Sequence, residues 1–188
     1  ARHETAAGMP FETVQLDVMG VPRTLFRNAP NSLRDIVVAA SARSDDVTFL
    51  VYDDERWGFE RFGREVAALG TALVEQYGIG HGDRVAIAMR NYPEWVVSFA
   101  AAVSVGAISV SFNAWWTAEE MDFALSDCGA SVLIADAERI ERSRATCERL
   151  GVPTLAVRAP DAAALGTTAA PVAQWSDVVG ARATDPTV

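Results

Sequence analysis

The sequence predicts a layered α/β fold in which a parallel sheet is covered by helices on both faces. Between residues 82 and 136, short apolar runs rich in β-branched residues alternate with longer stretches of helical periodicity. The runs lack the polar alternation of a half-exposed strand, as expected when both faces of a sheet are buried. The stretches between them are long enough for right-handed crossovers, and a glycine stands shortly before each run, where glycine commonly ends a helix.

Four runs are predicted to be parallel strands: residues 84–89, 107–112, 131–135 and 152–157. The starts of the intervening helices are also marked. Pro93 suits a first helical turn, and Thr117 followed by Glu120 forms a capping box. Asp136 is the expected N-cap of the next helix, over residues 137–150, whose alternating arginines and glutamates indicate a solvated, ion-paired face.

The segment before the sheet has its own pattern. Residues 48–53 are predicted to be extended, with residues 56–60 returning as a hairpin and a helix from about residue 61 to 77. An earlier helix, over residues 32–43, is expected to be capped by Asn31. The glycines of residues 78–82 follow a helix and open a strand, so they indicate a turn and not a dinucleotide fingerprint.

Three segments are therefore expected. Residues 1–30 are predicted to be irregular because Pro10, Pro22 and Pro30 interrupt them, and residues 31–158 form the α/β subdomain. Residues 159–188 are predicted to be a surface excursion with a short helix near residues 175–179.

Composition excludes several classes of function. The net charge of −9 argues against nucleic-acid backbones and anionic membranes as obligatory partners. All 16 basic residues are arginine, so a lysine nucleophile or phosphate clamp cannot come from this chain. Cys128 and Cys147 have neither metal-site nor redox spacing. The lack of a signal peptide or a long apolar run predicts a cytoplasmic protein.

An ordered series of short motifs resembles a known family. The series runs from GDRVA at residues 82–86 through NYPEW at 91–95, Gly106-Ala107, Asn113 and TAEE at 117–120 to LIAD at 133–136. It is similar to the N-terminal part of the AMP-forming acyl-CoA ligases, the adenylating superfamily that also holds luciferases and peptide-synthetase adenylation domains. The resemblance implies an incomplete, flavodoxin-like subdomain of such an enzyme.

The resemblance implies that the full-length protein uses ATP and Mg²⁺ to convert a carboxylic acid, by preference a fatty acid, to an acyl adenylate. The acyl group then passes to coenzyme A. The phosphate loop, metal-binding acid and catalytic lysine of the family are expected outside these residues. This chain alone is therefore expected to be catalytically inactive, to bind no cofactor tightly and to depend on the remainder of its own polypeptide.

Ligands of open α/β sheets collect at the carboxyl ends of the strands. None of the loops there is glycine-rich, and no catalytic or metal-binding set can be assembled from them. The resemblance assigns Phe112, Asn113, Ala114 and Arg139 to the nucleotide end of coenzyme A. The adjacent Trp115 and Trp116 could stack on a flat ligand or on protein, with packing favoured.

Two other functions remain open at this point. The chain could come from an amino-acid or aryl adenylation enzyme of the same superfamily, or form an α/β interaction module without catalysis. Apolar surface left uncovered in this chain predicts self-association into a homodimer.

Overall fold

The computed structural model describes residues 4–43 and 46–183, except for the side chains of residues 162 and 163. The strands are β1 (Thr13–Val18), β2 (Val21–Phe26), β3 (Thr48–Tyr52), β4 (Glu55–Gly58), β5 (Arg84–Ala88), β6 (Ile108–Ser111), β7 (Val132–Asp136), β8 (Thr154–Val157) and β9 (Val172–Gln174). The helices are α1 (Leu33–Ser41), α2 (Phe59–Glu75), α3 (Pro93–Ser104), α4 (Ala118–Cys128), α5 (Ala137–Leu150) and α6 (Ala181–Ala183), with a 3₁₀ turn at Ala162–Leu165 and a π-helical turn at Ser176–Gly180. Over the described ranges, no helix combines the length and apolar character needed to cross a membrane.

Five strands form one parallel sheet in the order β6-β5-β7-β8-β9. Renumbered from β5, this order is 2-1-3-4-5, the order of the flavodoxin-like doubly wound folds. The predicted parallel sheet is therefore confirmed, together with all four of its predicted strands.

The sheet has a core on each face because its inner strands β5, β7 and β8 are buried on both sides. From β5, Val85 and Ile87 point into the core formed with α2 and α3, where Leu69 and Val97 are fully buried. Ala86 and Ala88 point the other way, into the core formed with α4 and α5. The unbroken apolar pattern of β5, β7 and β8 follows from this two-sided burial. The same expectation was wrong for residues 107–112, because β6 lies at an edge of the described sheet, is only partly buried and carries Ser109 and Ser111 between its apolar residues.

Most helix starts agree with the sequence. Thr117 and Glu120 form the predicted capping box, and Asp136 caps α5 by accepting a hydrogen bond from the Arg139 amide. The predicted cap of α1 was wrong, since Ser32 and not Asn31 holds that position. Ser32 forms a reciprocal pair with Asp35, in which each side chain accepts from the other residue's backbone N–H.

Residues 13–26 were predicted to be irregular, and that prediction was wrong. They form an antiparallel hairpin in which Val18 pairs with Val21. Met19 and Gly20 close the turn with φ angles of 54° and 81°. Pro22 is tolerated because a two-stranded hairpin consists of edge strands, on which a missing N–H need not break the ladder.

Residues 159–183 were predicted to be a surface excursion, which was wrong for much of the segment. β9 joins the parallel sheet beside β8, where the Thr154 amide donates to the Pro171 carbonyl oxygen at 2.9 Å. The short helix expected near residues 175–179 is present as the π-helical turn, and its Val178 and Val179 are buried against the core. Residues 184–188 lie outside the described residues.

Candidate functional site

The candidate site lies at the carboxyl ends of β5 and β7, where the order of the strands reverses. In open α/β sheets this switch point is the usual place for a ligand, because the loops after the two strands part there. The loop after β5 carries Arg90, and β7 ends at Asp136. The loop after β6 runs through residues 112–117 and lies beside them.

The Asp136 carboxylate connects the ends of β5 and β7 by hydrogen bonds. One carboxylate oxygen accepts a hydrogen bond of 3.0 Å from the Arg90 backbone N–H. The other accepts a bond of 3.2 Å from the Arg139 amide at the first turn of α5. Asp136 is buried, so its charge is balanced inside the protein, by the Arg139 guanidinium at 3.2 Å. Its role in this structure is to cap α5 and to join the two strand ends.

Arg139 is the centre of this edge of the sheet. Its side chain is only 1% exposed, and its Nε donates to the Ala114 carbonyl oxygen at 2.8 Å. Its Nη1 donates to Glu138 at 2.8 Å, and its Nη2 makes a further contact with Ala114. The expected solvated arginine face of α5 was therefore wrong at this position. It is confirmed at Arg144, which pairs with Glu141 at the surface.

Of the four residues assigned to coenzyme A, the structure brings Ala114 and Arg139 into contact, whereas Phe112 and Asn113 make other contacts. Phe112 is buried in the core beside Trp116, with ring centroids 5.3 Å apart. Asn113 is exposed, and its side-chain oxygen accepts a hydrogen bond of 3.0 Å from the Trp115 amide. Phe112 thus anchors the loop in the core, and Asn113 holds its exposed side by a hydrogen bond within the loop.

The exposed part of the site consists of Arg90 and Trp115, neither of which was among the assigned binding residues. The Trp115 side chain is 72% exposed, and the Arg90 guanidinium carbon lies 5.0 Å from the centroid of its ring. Arg90 also lies 3.7 Å from the Glu138 carboxylate. The sequence contains a signal for Arg90, because it directly follows an apolar strand. Residues in that position lie at the carboxyl ends of parallel strands, where ligands bind.

Arg142 fixes the far side of the same loop. Its Nη1 donates to the Trp116 carbonyl oxygen at 2.8 Å, and its Nη2 pairs with Glu138. Trp116 itself packs against the core, as the preference for packing predicted, while Trp115 does not. One tryptophan therefore anchors the loop and the other presents a flat aromatic face to solvent.

A second charged cluster stands at the end of β8. Arg158 has a φ of 51°, and its guanidinium reaches Glu94 at 3.0 Å and Glu55 at 2.7 Å. Its carbon also lies 4.8 and 5.1 Å from the ring centroids of Tyr52 and Tyr92. Burial would lower the pKa of Arg158, but hydrogen bonds from the guanidinium to both glutamates raise it overall. This cluster ties three segments together.

The site offers a cation and an aromatic face, but no reactive group. Among residues 4–43 and 46–183 there is no group of three or more acidic, histidine or cysteine side chains that could hold a metal ion. Burial raises the pKa of the Cys147 thiol, which keeps that buried group protonated and unreactive. The arrangement can bind and orient a planar or anionic ligand.

Comparisons with known proteins agree with this architecture. A family model described as "AMP-binding enzyme" matches residues 37–187. The chain is 32% identical over 122 residues to "Probable CoA ligase CCL9" of Humulus lupulus, covering 65% of this chain and 23% of that protein. It is 30% identical over 106 residues to the long-chain-fatty-acid–CoA ligase of Bacillus subtilis, covering 56% of this chain and 19% of that protein.

Solved structures show the same fold. The crystal structure of the anthranilate CoA ligase AuaEII in complex with anthranoyl-AMP matches with a TM-score of 0.62 and 28% identity, over 69% of this chain and 26% of that one. The chain thus spans about a fifth to a quarter of the length of the relatives it matches. On the family match over residues 37–187, the chain belongs to the family of AMP-binding enzymes, and it resembles the N-terminal portion of their AMP-forming acyl-CoA ligases.

Proposed function

We propose that this chain is the N-terminal α/β subdomain of an ATP-dependent acyl-CoA ligase that activates a carboxylic acid, by preference a fatty acid, as its acyl adenylate. The acyl group then passes to coenzyme A. The observation that carries this proposal is the match of the family model over most of the chain, together with similarity to several CoA ligases. The 2-1-3-4-5 sheet, with its loops gathered at one edge, is consistent with it.

A carboxylate is a weak nucleophile, so adenylation depends on holding it in line with the α-phosphate and stabilising the charge that develops there. The described residues do not fit ATP or Mg²⁺, because they include neither a metal-binding cluster nor a glycine-rich loop at a strand end. The chain also contains no lysine. We therefore assign the adenylation chemistry to other parts of the polypeptide and expect this chain alone to be inactive.

Coenzyme A fits the residues of the candidate site better. The exposed Trp115 ring can stack on adenine, and the Arg90 guanidinium beside it can meet a phosphate. In this proposal Phe112, Asn113, Ala114 and Arg139 form and hold the loop. Arg139 acts as a positioning residue, because its buried guanidinium already binds Ala114 and two carboxylates.

The reaction is tested by exchange of labelled pyrophosphate into ATP, catalysed by the full-length protein with a panel of acids. The panel contains palmitate, octanoate, 4-coumarate, benzoate and phenylalanine. We expect exchange with fatty acids and coenzyme A-dependent release of AMP. Exchange with phenylalanine and no thioester would support an amino-acid adenylation enzyme, and no exchange with any acid would contradict the proposal.

An aryl acid is a specific second candidate, because AuaEII, an anthranilate CoA ligase, is among the matched structures. The same panel separates the two substrates. A kcat/KM for 4-coumarate or benzoate above that for palmitate would replace the fatty acid in the proposal, while leaving the acyl-CoA ligase reaction intact.

The coenzyme A site is tested by calorimetric titration of the full-length protein with coenzyme A. Arg90→Gln and Trp115→Ala should each weaken binding several-fold without changing pyrophosphate exchange. Arg144→Gln is the matched control, since Arg144 is another surface arginine but lies outside the site. Unchanged affinity in both site variants would contradict this placement of coenzyme A.

A further inference from the structure

We infer that Arg158, which directly follows β8, is a positioning residue for Arg90 and thereby for the binding of coenzyme A. The inference rests on the proposed function, in which Arg90 meets a phosphate of coenzyme A. Arg158 acts on Arg90 through Tyr92 and Glu94, which stand at the N-cap and in the first turn of α3, directly after the loop that carries Arg90. These contacts lie inside the α/β subdomain.

Arg158 has a backbone conformation that arginine rarely adopts, since its φ of 51° lies in the left-handed region. Successive side chains of a strand point to opposite faces, and Val157 points into the core with α2 and α3. A continued strand would therefore direct the next side chain to the α5 face. The positive φ places the Arg158 side chain on the α3 face instead, against Glu94. Backbone strain of this kind persists only where the surrounding contacts hold it, and it is concentrated at functional sites.

Arg158 holds the start of α3 by two kinds of contact. Its Nε donates to both carboxylate oxygens of Glu94, at 3.0 and 3.1 Å. Glu94 is only 7% exposed, so its charge needs a partner inside the protein. The guanidinium carbon of Arg158 also lies 5.1 Å from the centroid of the Tyr92 ring. The N-cap and the first turn of α3 are therefore both tied to the end of β8.

Glu55 holds the same guanidinium from the side of the hairpin formed by β3 and β4. The Arg158 Nη2 lies 2.7 Å from the Glu55 carboxylate, to which the Trp57 Nε1 donates at 3.0 Å. The Tyr52 ring of this hairpin lies 4.8 Å from the guanidinium carbon. With two carboxylates balancing its charge, Arg158 is poorly suited to bind an anionic ligand itself. Its place between the hairpin and α3 instead fixes where α3 begins.

The loop that carries Arg90 is held between two fixed points. At its start, the Arg90 amide donates to Asp136 at 3.0 Å. At its end, the Tyr92 amide donates to the Arg90 carbonyl oxygen at 2.7 Å, the hydrogen bond of a three-residue γ-turn. Displacement of Tyr92 therefore moves the Arg90 backbone. The Arg90 guanidinium would then lose its place 5.0 Å from the centroid of the Trp115 ring.

The first test is fluorine NMR of the full-length protein labelled with fluorotryptophan, without any ligand. The Trp115 resonance is identified by its loss in Trp115→Phe. Removing the cation beside the ring in Arg90→Gln should shift this resonance, and Arg158→Gln should shift it in the same direction. Arg144→Gln, a surface arginine outside both clusters, should leave it unchanged. An unmoved Trp115 resonance in Arg158→Gln would overturn the inference.

The second test is calorimetric titration of the full-length protein with coenzyme A in a double-mutant cycle. Arg158→Gln should weaken binding about fivefold in the wild-type background and have no further effect in the Arg90→Gln background, because the residue that it positions is absent there. A general loss of stability would weaken binding equally in both backgrounds, so additive effects would overturn the inference. Absence of binding by the wild-type protein would contradict the proposed coenzyme A site, while the NMR result would still decide whether Arg158 positions Arg90.

A second pair of variants keeps the test valid if Arg158→Gln, which leaves the buried Glu94 unpaired, fails to fold. Tyr92→Leu preserves the ion pair and removes the ring that contacts Arg158, whereas Tyr92→Phe keeps a ring and is the matched control. Circular dichroism establishes that each variant is folded. Tyr92→Leu should shift the Trp115 resonance and weaken coenzyme A binding, and Tyr92→Phe should do neither. Equal behaviour of the two variants would overturn the inference.

Discussion

The Arg139 Nε donates a hydrogen bond of 2.8 Å to the carbonyl oxygen of Ala114, 25 residues earlier in the chain. This bond connects the first turn of α5 to the loop after β6. Together with the bond from the Arg90 amide to Asp136, it links three strand ends of the sheet at one edge. The shape of the candidate site therefore depends on one buried guanidinium.

Replacing Arg139 should destabilise the protein strongly. Arg139→Met leaves the buried Asp136 without its partner, and loss of one member of a buried pair costs about 3 kcal/mol or more. The free energy of unfolding in urea measures the loss. Arg144→Met is the control, because the exposed pair of Arg144 with Glu141 contributes less than about 1 kcal/mol. Equal effects of the two substitutions would contradict the buried role of Arg139.

Substitution of the buried Trp57 should reduce stability far more than substitution of the exposed Trp115. Trp57 is 2% exposed, and Trp57→Ala should cost about 3–5 kcal/mol of unfolding free energy. Trp115 is mostly exposed, and Trp115→Ala should change stability by less than about 0.5 kcal/mol. Thermal unfolding followed by circular dichroism checks both. A large loss at Trp115 would show that this ring packs on protein.

Glu65 should make the protein less stable as pH rises. Burial raises the pKa of its carboxyl above the ordinary 4.5, although Trp175 donates a hydrogen bond to it at 3.3 Å. The folded state therefore binds the proton more tightly, and stability falls as pH rises from the unfolded pKa through the folded one. Glu65→Gln keeps an acceptor for Trp175 and should raise Tm at neutral pH. A lower Tm in this variant would contradict the prediction.

Glu55, in contrast to Glu65, should make the protein less stable as pH falls. The hydrogen bond from Arg158 lowers the pKa of its carboxyl, despite partial burial. Its contribution to stability is present above the unfolded pKa and is lost as pH falls through the lowered folded pKa. NMR titration should place the Glu55 midpoint below 4.5, and Arg158→Gln should move it upward. An unmoved midpoint would exclude Arg158 as the cause.

The cap of α1 can be tested by a pair of neighbouring substitutions. Ser32→Ala removes the side chain that accepts from the Asp35 amide, and N-cap losses of this kind cost about 1 kcal/mol. Asn31→Ala should have almost no effect on the free energy of unfolding, because Ser32 and not Asn31 occupies the cap position. A larger loss of stability in Asn31→Ala than in Ser32→Ala would instead identify Asn31 as the cap, as the sequence predicted.

Much of the fold could be predicted because its signals are local or periodic. The strands β5, β7 and β8 are continuous apolar runs, and the capping box of α4 and Pro93 are read from a few adjacent residues. β9 could not be predicted this way, because three residues after Pro171 have no periodicity. They become a strand only because β8 offers an open edge beside them. The N-terminal hairpin was not predicted, because the prolines of residues 1–30 indicated irregular structure. The alternation of Val14, Leu16 and Val18 was the signal for its first strand.

The sequence by itself determined the parallel sheet of β5 to β8, the alternation of its strands with helices along the chain, and the family resemblance, because these depend on patterns that extend along the chain. Tertiary structure alone decided which charged side chains are buried. Arg139 and Arg144 lie in the same helical pattern, yet one is enclosed by the loop after β6 and the other is solvated. Burial depends on what the rest of the chain places against a side chain, and residues distant in sequence decide that.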